Sequence, residues 1–337
     1  MPDLDYVVST RNLSKRFDTR IATEKGWEKR TVAAVSDVSL DIAPGETLGL
    51  VGESGCGKTT LGRMLSLFYE PSDGSITLKG VDVGKLKPRE IKPMRQQVQM
   101  IFQDPMSSLN PRHTIESILT EPMKIFSRDP ASVRRKKAGD LLESVGLPAN
   151  SLSKYPHEFS GGQRQRITIA RALVLNPGFI VADEPVSALD VSVQSQILNL
   201  LQDIKQEFHL TYLFISHDLA VVHHLADRVA VMYLGRIVEI ADRDALFTDA
   251  RHPYTQSLLS SVPTIVPNKS KIGRVLQGDP PSPISPPAGC PFHPRCPHAV
   301  DACREKVPTL ETVDAKYRHE AACHRKDEIK RLSGDST

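Results

Sequence analysis

The 337-residue sequence predicts an α/β fold: a parallel sheet covered by helices, with an antiparallel β part and a mainly helical segment attached. Three observations carry that expectation. First, several apolar runs are short, unbroken and end in polar groups. Thr47-Leu-Gly-Leu-Val51 leads into a glycine-rich loop, Phe179-Ile-Val-Ala182 into Asp183-Glu184, and Leu213-Phe-Ile215 into Ser216-His217. Strands buried on both faces read this way, and open α/β sheets bind ligands at the C-terminal ends of such strands. Second, helix-compatible stretches alternate with these runs. Third, residues 229–233 and 236–240 are strand-like and flank Leu234-Gly235, a hairpin signature.

Composition narrows the class. Charged residues at 25% and hydrophobic ones at 39% are ordinary for a globular chain. Forty-three Lys and Arg against 40 Asp and Glu leave a net charge of +3, which makes no electrostatic case for nucleic acid. No run approaches the ~20 apolar residues of a transmembrane helix. The opening Met1-Pro-Asp-Leu-Asp-Tyr6 lacks the basic and then apolar segments of a secretory signal. A protein kept in the cytoplasm is expected, any membrane role coming through a partner.

Along the chain, residues 31–42 and 75–78 are strand-like and fit the antiparallel part. Between them, the strand at 47–51 opens into Gly52-Glu53-Ser54-Gly55-Cys56-Gly57-Lys58-Thr59-Thr60, the pattern G-x-x-x-x-G-K-[ST]. Its glycines let the backbone curl so that several N–H groups point at one phosphate chain, and the following helix adds its positive end. Lys58 is expected to reach the β- and γ-phosphates, and the Thr59 hydroxyl to bind Mg²⁺. Cys56 reads as a small residue tolerated in a tight turn rather than as a redox switch.

Residues from about 106 to 176 are expected to form a helical subdomain. Near its end, Ser160-Gly161-Gly162-Gln163 precedes a helix-like stretch closed by Pro177. Ser160 is a natural N-cap, and two glycines at a helix start expose N–H groups to an anion; a plain helix start has the same features. Beyond it, Asp183 would hold Mg²⁺ directly or through water, and Glu184 is placed to polarise an attacking water.

The ordered set of phosphate loop, Gln103, Ser160-Gly161-Gly162-Gln163, Asp183-Glu184, Ser187-Ala-Leu-Asp190 and His217 resembles the ATP-binding cassette transporter ATPases over residues 10–260 or so. Phe159 replaces the commonest leucine of the signature, a conservative change. The resemblance implies a phosphate-loop NTPase core with a RecA-like parallel sheet, using ATP and Mg²⁺. It implies that Gln103 touches Mg²⁺ and senses a membrane subunit, and that Ser160 to Gln163 clasp the γ-phosphate of ATP bound to an opposite subunit. Glu184 would be the general base, His217 a γ-phosphate contact, and Asp190 a tie between subunits. Phe17 is expected to stack on adenine, with Trp27 as competitor because residues 19–30 look like an insertion.

Twelve of the 25 prolines lie between Pro253 and Pro308, so residues 1–262 are expected to form the nucleotide-binding domain and 263–337 a Pro/Cys-rich extension. The run Pro280-Pro281-Ser-Pro283-Ile-Ser-Pro286-Pro287 reads as a stiff linker or a wrapped, extended segment. Arg251-His-Pro-Tyr-Thr-Gln-Ser-Leu-Leu259, Gly278-Asp-Pro-Pro-Ser-Pro283 and Cys290-Pro-Phe-His-Pro-Arg-Cys296-Pro are similar to the tail of ATPases serving dipeptide and oligopeptide permeases, a group with some nickel and glutathione importers. From Leu109-Asn-Pro-Arg112 onward the chain looks closer to the second ATPase of such a pair. That resemblance implies a heterodimer with another cassette ATPase, peripheral on the cytoplasmic face of the membrane, with two multi-span permease subunits and, indirectly, an extracytoplasmic peptide-binding protein.

Four of the five cysteines follow C-x5-C-x6-C-x19-C, which is neither the usual zinc spacing nor that of bacterial ferredoxins. In a reducing compartment such a cluster points to a metal more than to disulfides. The permease-group resemblance implies a [4Fe–4S] cluster on Cys290, Cys296, Cys303 and Cys323. Zinc, with His293 or His324 joining the cysteines, and unligated thiols stay open. A metal there would order the proline-rich tail. A rival class is a soluble cassette ATPase working on DNA or ribosomes. Such proteins usually carry two cassettes, and this chain has one phosphate loop. A non-hydrolysing ATP sensor is disfavoured by Glu184 and His217.

Overall fold

A computed structural model of the protein describes residues 6–23, 26–261 and 278–329, so the expected domain boundary at 262 lies outside the described residues. In chain order the strands are β1 (Val8–Thr23), β2 (Gly26–Ile42), β3 (Thr47–Val51), β4 (Asp73–Leu78), β5 (Val81–Asp82), β6 (Val98–Ile101), β7 (Phe179–Asp183), β8 (Thr211–Ile215), β9 (Arg228–Tyr233), β10 (Arg236–Asp242), β11 (Glu311–Asp314) and β12 (His319–Ala321). They form an eight-stranded sheet in the order β11-β12-β10-β9-β3-β8-β7-β6 and a four-stranded sheet in the order β2-β1-β4-β5.

The expected parallel core is present. β3 runs parallel to β8 and β9, and β7 parallel to β6 and β8. Every residue of β3, β7 and β8 is buried. Alternate side chains serve opposite faces. In β7, Ile180 and Ala182 join the core shared with the helices, while Phe179 and Val181 pack with Leu61, Met64 and the antiparallel sheet. A strand sandwiched in this way needs an apolar residue at every position, which explains its unbroken sequence pattern.

The hairpin at Leu234-Gly235 is also present. β9 and β10 pair antiparallel, and the two turn residues take φ values of 42° and 79°, the left-handed pair of a tight hairpin. Its turn is stitched to two neighbours: Gly235 N–H donates to the Cys56 carbonyl at 2.8 Å, and Ser36 N–H donates to the Gly235 carbonyl at 2.8 Å. The phosphate loop is thereby pinned beside β2. The apparent insertion at 19–30 lengthens the β1–β2 hairpin, with Thr19 opposite Arg30 and Thr23 opposite Gly26.

The helical region contains Ile115–Phe126, Ala131–Ser144 and Gly161–Leu173. Thr114 caps the first helix by accepting from Ser117 N–H at 3.3 Å. A reciprocal capping box starts the third: Gln163 N–H donates to Ser160 Oγ at 3.3 Å and Ser160 N–H donates to Gln163 Oε1 at 3.0 Å. Leu119, Leu142, Ile167 and Ile169 are fully buried in the core these helices share with the main sheet.

The chain after Gly278 returns to that sheet. β12 pairs antiparallel with β10, placing Ala321 opposite Glu239, and β11 pairs with β12. Glu239 is completely buried; its carboxylate accepts from Arg251 N–H at 2.5 Å and His252 N–H at 3.0 Å, and pairs with His319 Nε2 at 2.8 Å. Burial pushes His252 down to about 3, keeping it neutral, and its Nδ1 accepts from Tyr254 N–H at 3.1 Å.

Candidate functional site: a nucleotide cleft at the strand ends

The phosphate loop connects the end of β3 to the helix Lys58–Leu65. Gly57, the N-cap of that helix, sits at φ 108° with no side-chain cap, and a Cβ there would lie 2.2 Å from the Ala34 carbonyl oxygen. Only glycine fits, and the first N–H groups of the helix stay available to an anion. Lys58 is buried and folded back on the loop, its Nζ donating to the Gly52 carbonyl at 2.7 Å and the Glu53 carbonyl at 3.0 Å.

Polar ends of neighbouring strands converge on this loop. Thr59 Oγ1 donates to Asp183 Oδ1 at 3.1 Å. Burial, assisted by the charge of Glu184, raises the Asp183 carboxyl above its usual range, against the lowering hydrogen bond from Thr59. A buried carboxylate under that pressure, beside a hydroxyl, is a donor set that fits a divalent cation of the Mg²⁺ type. Glu184 stands where β7 ends, at φ 47°, a left-handed conformation that costs a non-glycine residue ~1 kcal/mol or more. Its N–H donates to the Ile215 carbonyl at 2.9 Å, which locks the turn. Gln103 Nε2 donates to Glu184 Oε2 at 3.0 Å, and His217 Nδ1 lies 3.1 Å from the same oxygen. The strained turn aims the carboxylate between these two polar side chains, where it can orient a water and accept its proton.

A cleft of about 460 Å³ opens over these groups. It is lined by Ser54, Gly55, Gly57, Lys58, Thr59 and Thr60 of the loop, by Gln103, Glu184 and His217, and by Val32, Ala33, Ala34, Leu234, Gly235 and Pro283. The last six are residues that motif reading missed. Val32 to Ala34 and the hairpin turn are ordinary apolar positions in sequence, and Pro283 lies far down the chain. Gly52, Glu53 and Cys56 complete the loop behind this surface. Burial raises the Cys56 thiol despite nearby Lys58, consistent with a small side chain packed in a turn.

The remaining candidates lie apart from the cleft lining. Phe17 packs edge-on against Tyr69 at 5.6 Å between ring centroids, with Lys15 Nζ 5.3 Å from its ring, and stands opposite Val32 in the β1–β2 register. Trp27 is 75% exposed on the lengthened hairpin. Ser160 to Gln163 start their helix outside the cleft, and a Cβ on Gly162 would lie 2.6 Å from Val193 Cγ1. The second signature glycine therefore also serves helix packing. Asp190 precedes the helix Val191–Glu207 with no side-chain cap bond.

The four tail cysteines are free thiols. Cys290 N–H donates to the Cys303 carbonyl at 2.8 Å. Burial pushes the Cys323 thiol up to about 12, against the lowering effect of the Arg325 backbone N–H. Among the described residues no group of three or more His, Cys, Asp or Glu side chains is arranged to hold a single metal ion. His293 Nδ1 pairs with the Cys290 carbonyl at 2.9 Å and His324 Nε2 with the Lys306 carbonyl at 3.0 Å. No helix among the described residues is long and apolar enough to cross a membrane.

Comparison with known proteins places this geometry. Residues 35–187 match the ABC transporter family, and residues 238–303 match the oligopeptide/dipeptide transporter C-terminal region. The chain is 50% identical over 323 residues to the probable peptide ABC transporter ATP-binding protein y4tS of Sinorhizobium fredii, covering 95% of this chain and 90% of that protein. It is 49% identical over 327 residues to the oligopeptide transport ATP-binding protein AppF of Bacillus subtilis, covering 95% and 97%. Among solved structures, the post-hydrolysis dimer of the ATP-binding cassette MJ0796 bound to ADP and Pi superposes with a TM-score of 0.62 at 27% identity, over 70% of this chain and 98% of that one. CbiO1 of Clostridium perfringens gives a TM-score of 0.61 at 25% identity, over 73% and 92%. With a phosphate loop, two strand-end carboxylates and a returning C-terminal segment on one sheet, the chain belongs to the ATP-binding subunits of ABC transporters that carry the oligopeptide/dipeptide transporter C-terminal region.

Proposed function

We propose that this chain hydrolyses ATP to power the uptake of short peptides through a membrane permease, from the cytoplasmic face of the membrane. The observation that carries the reading is the convergence of Lys58, Thr59, Asp183, Glu184, Gln103 and His217 on one cleft. Lys58 and the loop N–H groups hold the phosphates; Thr59, Asp183 and Gln103 would hold Mg²⁺, which supplies charge neutralisation when bound. Glu184 takes the proton of the attacking water, and His217 contacts the γ-phosphate. Phe17, or Trp27 on the lengthened hairpin, supplies the adenine stack. Ser160 to Gln163 and Asp190 lie outside this cleft, which supports their acting on ATP held by a second cassette ATPase. That partner is a related but distinct chain, and ATP favours the closed pair over the open one.

Two finer readings belong to the same proposal. The chain divides at about residue 262 into the nucleotide-binding domain, with its helical part at 106–176, and the extension. Cys290, Cys296, Cys303 and Cys323 bind a [4Fe–4S] centre. What supports the reading is four free thiols in one returning segment, since soft thiolates suit iron and sulfide. Iron and acid-labile sulfide, assayed on anaerobically purified protein, are expected in stoichiometric amount; zinc in their place would overturn the cluster.

The transport reading is tested by tagging the chain in its native cells, solubilising the membranes gently and identifying the co-purifying proteins. Two multi-span subunits, a second cassette ATPase and a solute-binding protein are expected. Recovery of ribosomal or DNA-repair proteins without a membrane subunit would refute it.

A further inference from the structure

Glu53, the second residue of the phosphate loop, is gripped by chain that follows the core. Arg295, in the short 3-10 turn His293–Arg295, clamps its carboxylate with both guanidinium arms: Nη1 donates to Oε2 at 2.8 Å and Nη2 to Oε1 at 3.0 Å. The Arg295 side chain is 6% exposed, so this fork-on-carboxylate contact is shielded in a way that surface ion pairs are not. Arg295 also donates to the Tyr233 hydroxyl at 3.4 Å, and Glu53 N–H donates to the Tyr254 hydroxyl at 2.8 Å. Behind the clamp the rings of Tyr233, Tyr254 and Phe292 pack with centroids 4.6–5.5 Å apart, which fixes the two hydroxyls. On its other side Glu53 offers its carbonyl to Lys58 Nζ. One loop residue thus joins a guanidinium from the C-terminal segment to the lysine that phosphate requires. Pro283 of the same segment lines the nucleotide cleft.

We propose that Arg295 is a positioning residue of the ATP site, through which the cysteine-bearing segment sets nucleotide affinity. By holding Glu53 it holds the curl of the loop, and with it the carbonyl that Lys58 must leave to meet the phosphates. Arg295 lies between Cys290 and Cys296 in the chain, so a rearrangement of that segment reaches the phosphate loop through this pair. The inference rests on the ATP-site reading above.

The test uses the full chain, equilibrium binding of a fluorescent ATP analogue with Mg²⁺, and steady-state ATPase kinetics. Arg295→Met is expected to weaken binding and raise KM for ATP about tenfold while kcat changes less than about threefold, and Arg295→Lys, which keeps the charge without the fork, to recover part of the loss. Glu53→Gln is expected to weaken binding to a similar degree, and the double variant to be no weaker than the worse single one. Wild-type affinity and KM in both Arg295 variants, whatever their unfolding temperatures, would overturn the proposal, as would losses that multiply in the double variant. The underlying reading fails separately: if Lys58→Ala binds the analogue like wild type, the loop is not the ATP site, and this proposal falls with it.

Discussion

The phosphate-loop end of the main sheet and the segment from Gly278 to Ile329 sit side by side, and they are held by opposite means. At the phosphate loop the main chain does the holding. Gly57 and Glu184 take left-handed conformations, the strand ladders of β3, β7 and β8 fix their neighbours, Lys58 donates to loop carbonyls and Asp183 accepts from the Thr59 hydroxyl. In the segment, residues 278–310 contain no strand, and side chains hold it: Arg295 on Glu53, Phe292 among the two tyrosines, and His319 on Glu239. Backbone strain gathers at the turns that present the loop and the Glu184 carboxylate. Side-chain pairing gathers where the C-terminal segment is tied to the core.

Three substitutions break or sharpen that contrast. Glu184→Gln keeps the shape and hydrogen-bonding reach of the side chain but removes the base, so phosphate release is expected to fall ~10²–10⁴-fold while ATP binding and the unfolding temperature stay near wild type. Turnover at the wild-type rate would remove Glu184 from that role. Glu239→Ala should act in reverse. It strips a buried acceptor from two N–H groups and from His319, and is expected to cost about 3 kcal/mol in urea unfolding. An unchanged midpoint would mean that the segment is not anchored there. Asp183→Asn is expected to shift stability less than Glu239→Ala does, and in the opposite direction. The native carboxyl titrates above its unfolded value, so its contribution to stability is present at low pH and lost as pH rises through the raised native pKa. At neutral pH an amide, which stays uncharged, should stabilise the nucleotide-free protein by about 1 kcal/mol while abolishing Mg²⁺-dependent ATP binding, as thermal scans with and without Mg-ATP would show.

Motifs whose chemistry is local are legible in the sequence alone. The glycines and lysine of the phosphate loop, the unbroken β7 run with its two carboxylates, the Ser160 cap and the Leu234-Gly235 turn each depend on a few adjacent residues, and the structure shows each in the expected setting. Three features were not legible. The 19–30 stretch could not be recognised as a lengthened hairpin, because its charged residues carry no alternating apolar face. That β12 continues the main sheet was hidden in His319-Glu-Ala321, too short to register as a strand. The lining of the cleft by Val32 to Ala34 and Pro283 gives no sequence signal, since small apolar residues have no chemistry to betray a site.

By itself the sequence determined the parallel core, the phosphate loop and the pair of strand-end carboxylates, because hydrophobic periodicity and the needs of a phosphate chain act over a few consecutive residues. Only the tertiary structure decided that Arg295 would grip Glu53, that Tyr254 would accept the same residue's N–H, and that Glu239 would hold β12 and the turn at Arg251 together. Those contacts span long stretches of chain. They arise because local turns and the short β11–β12 pair shape the segment from within, while buried side chains of the core decide where it docks.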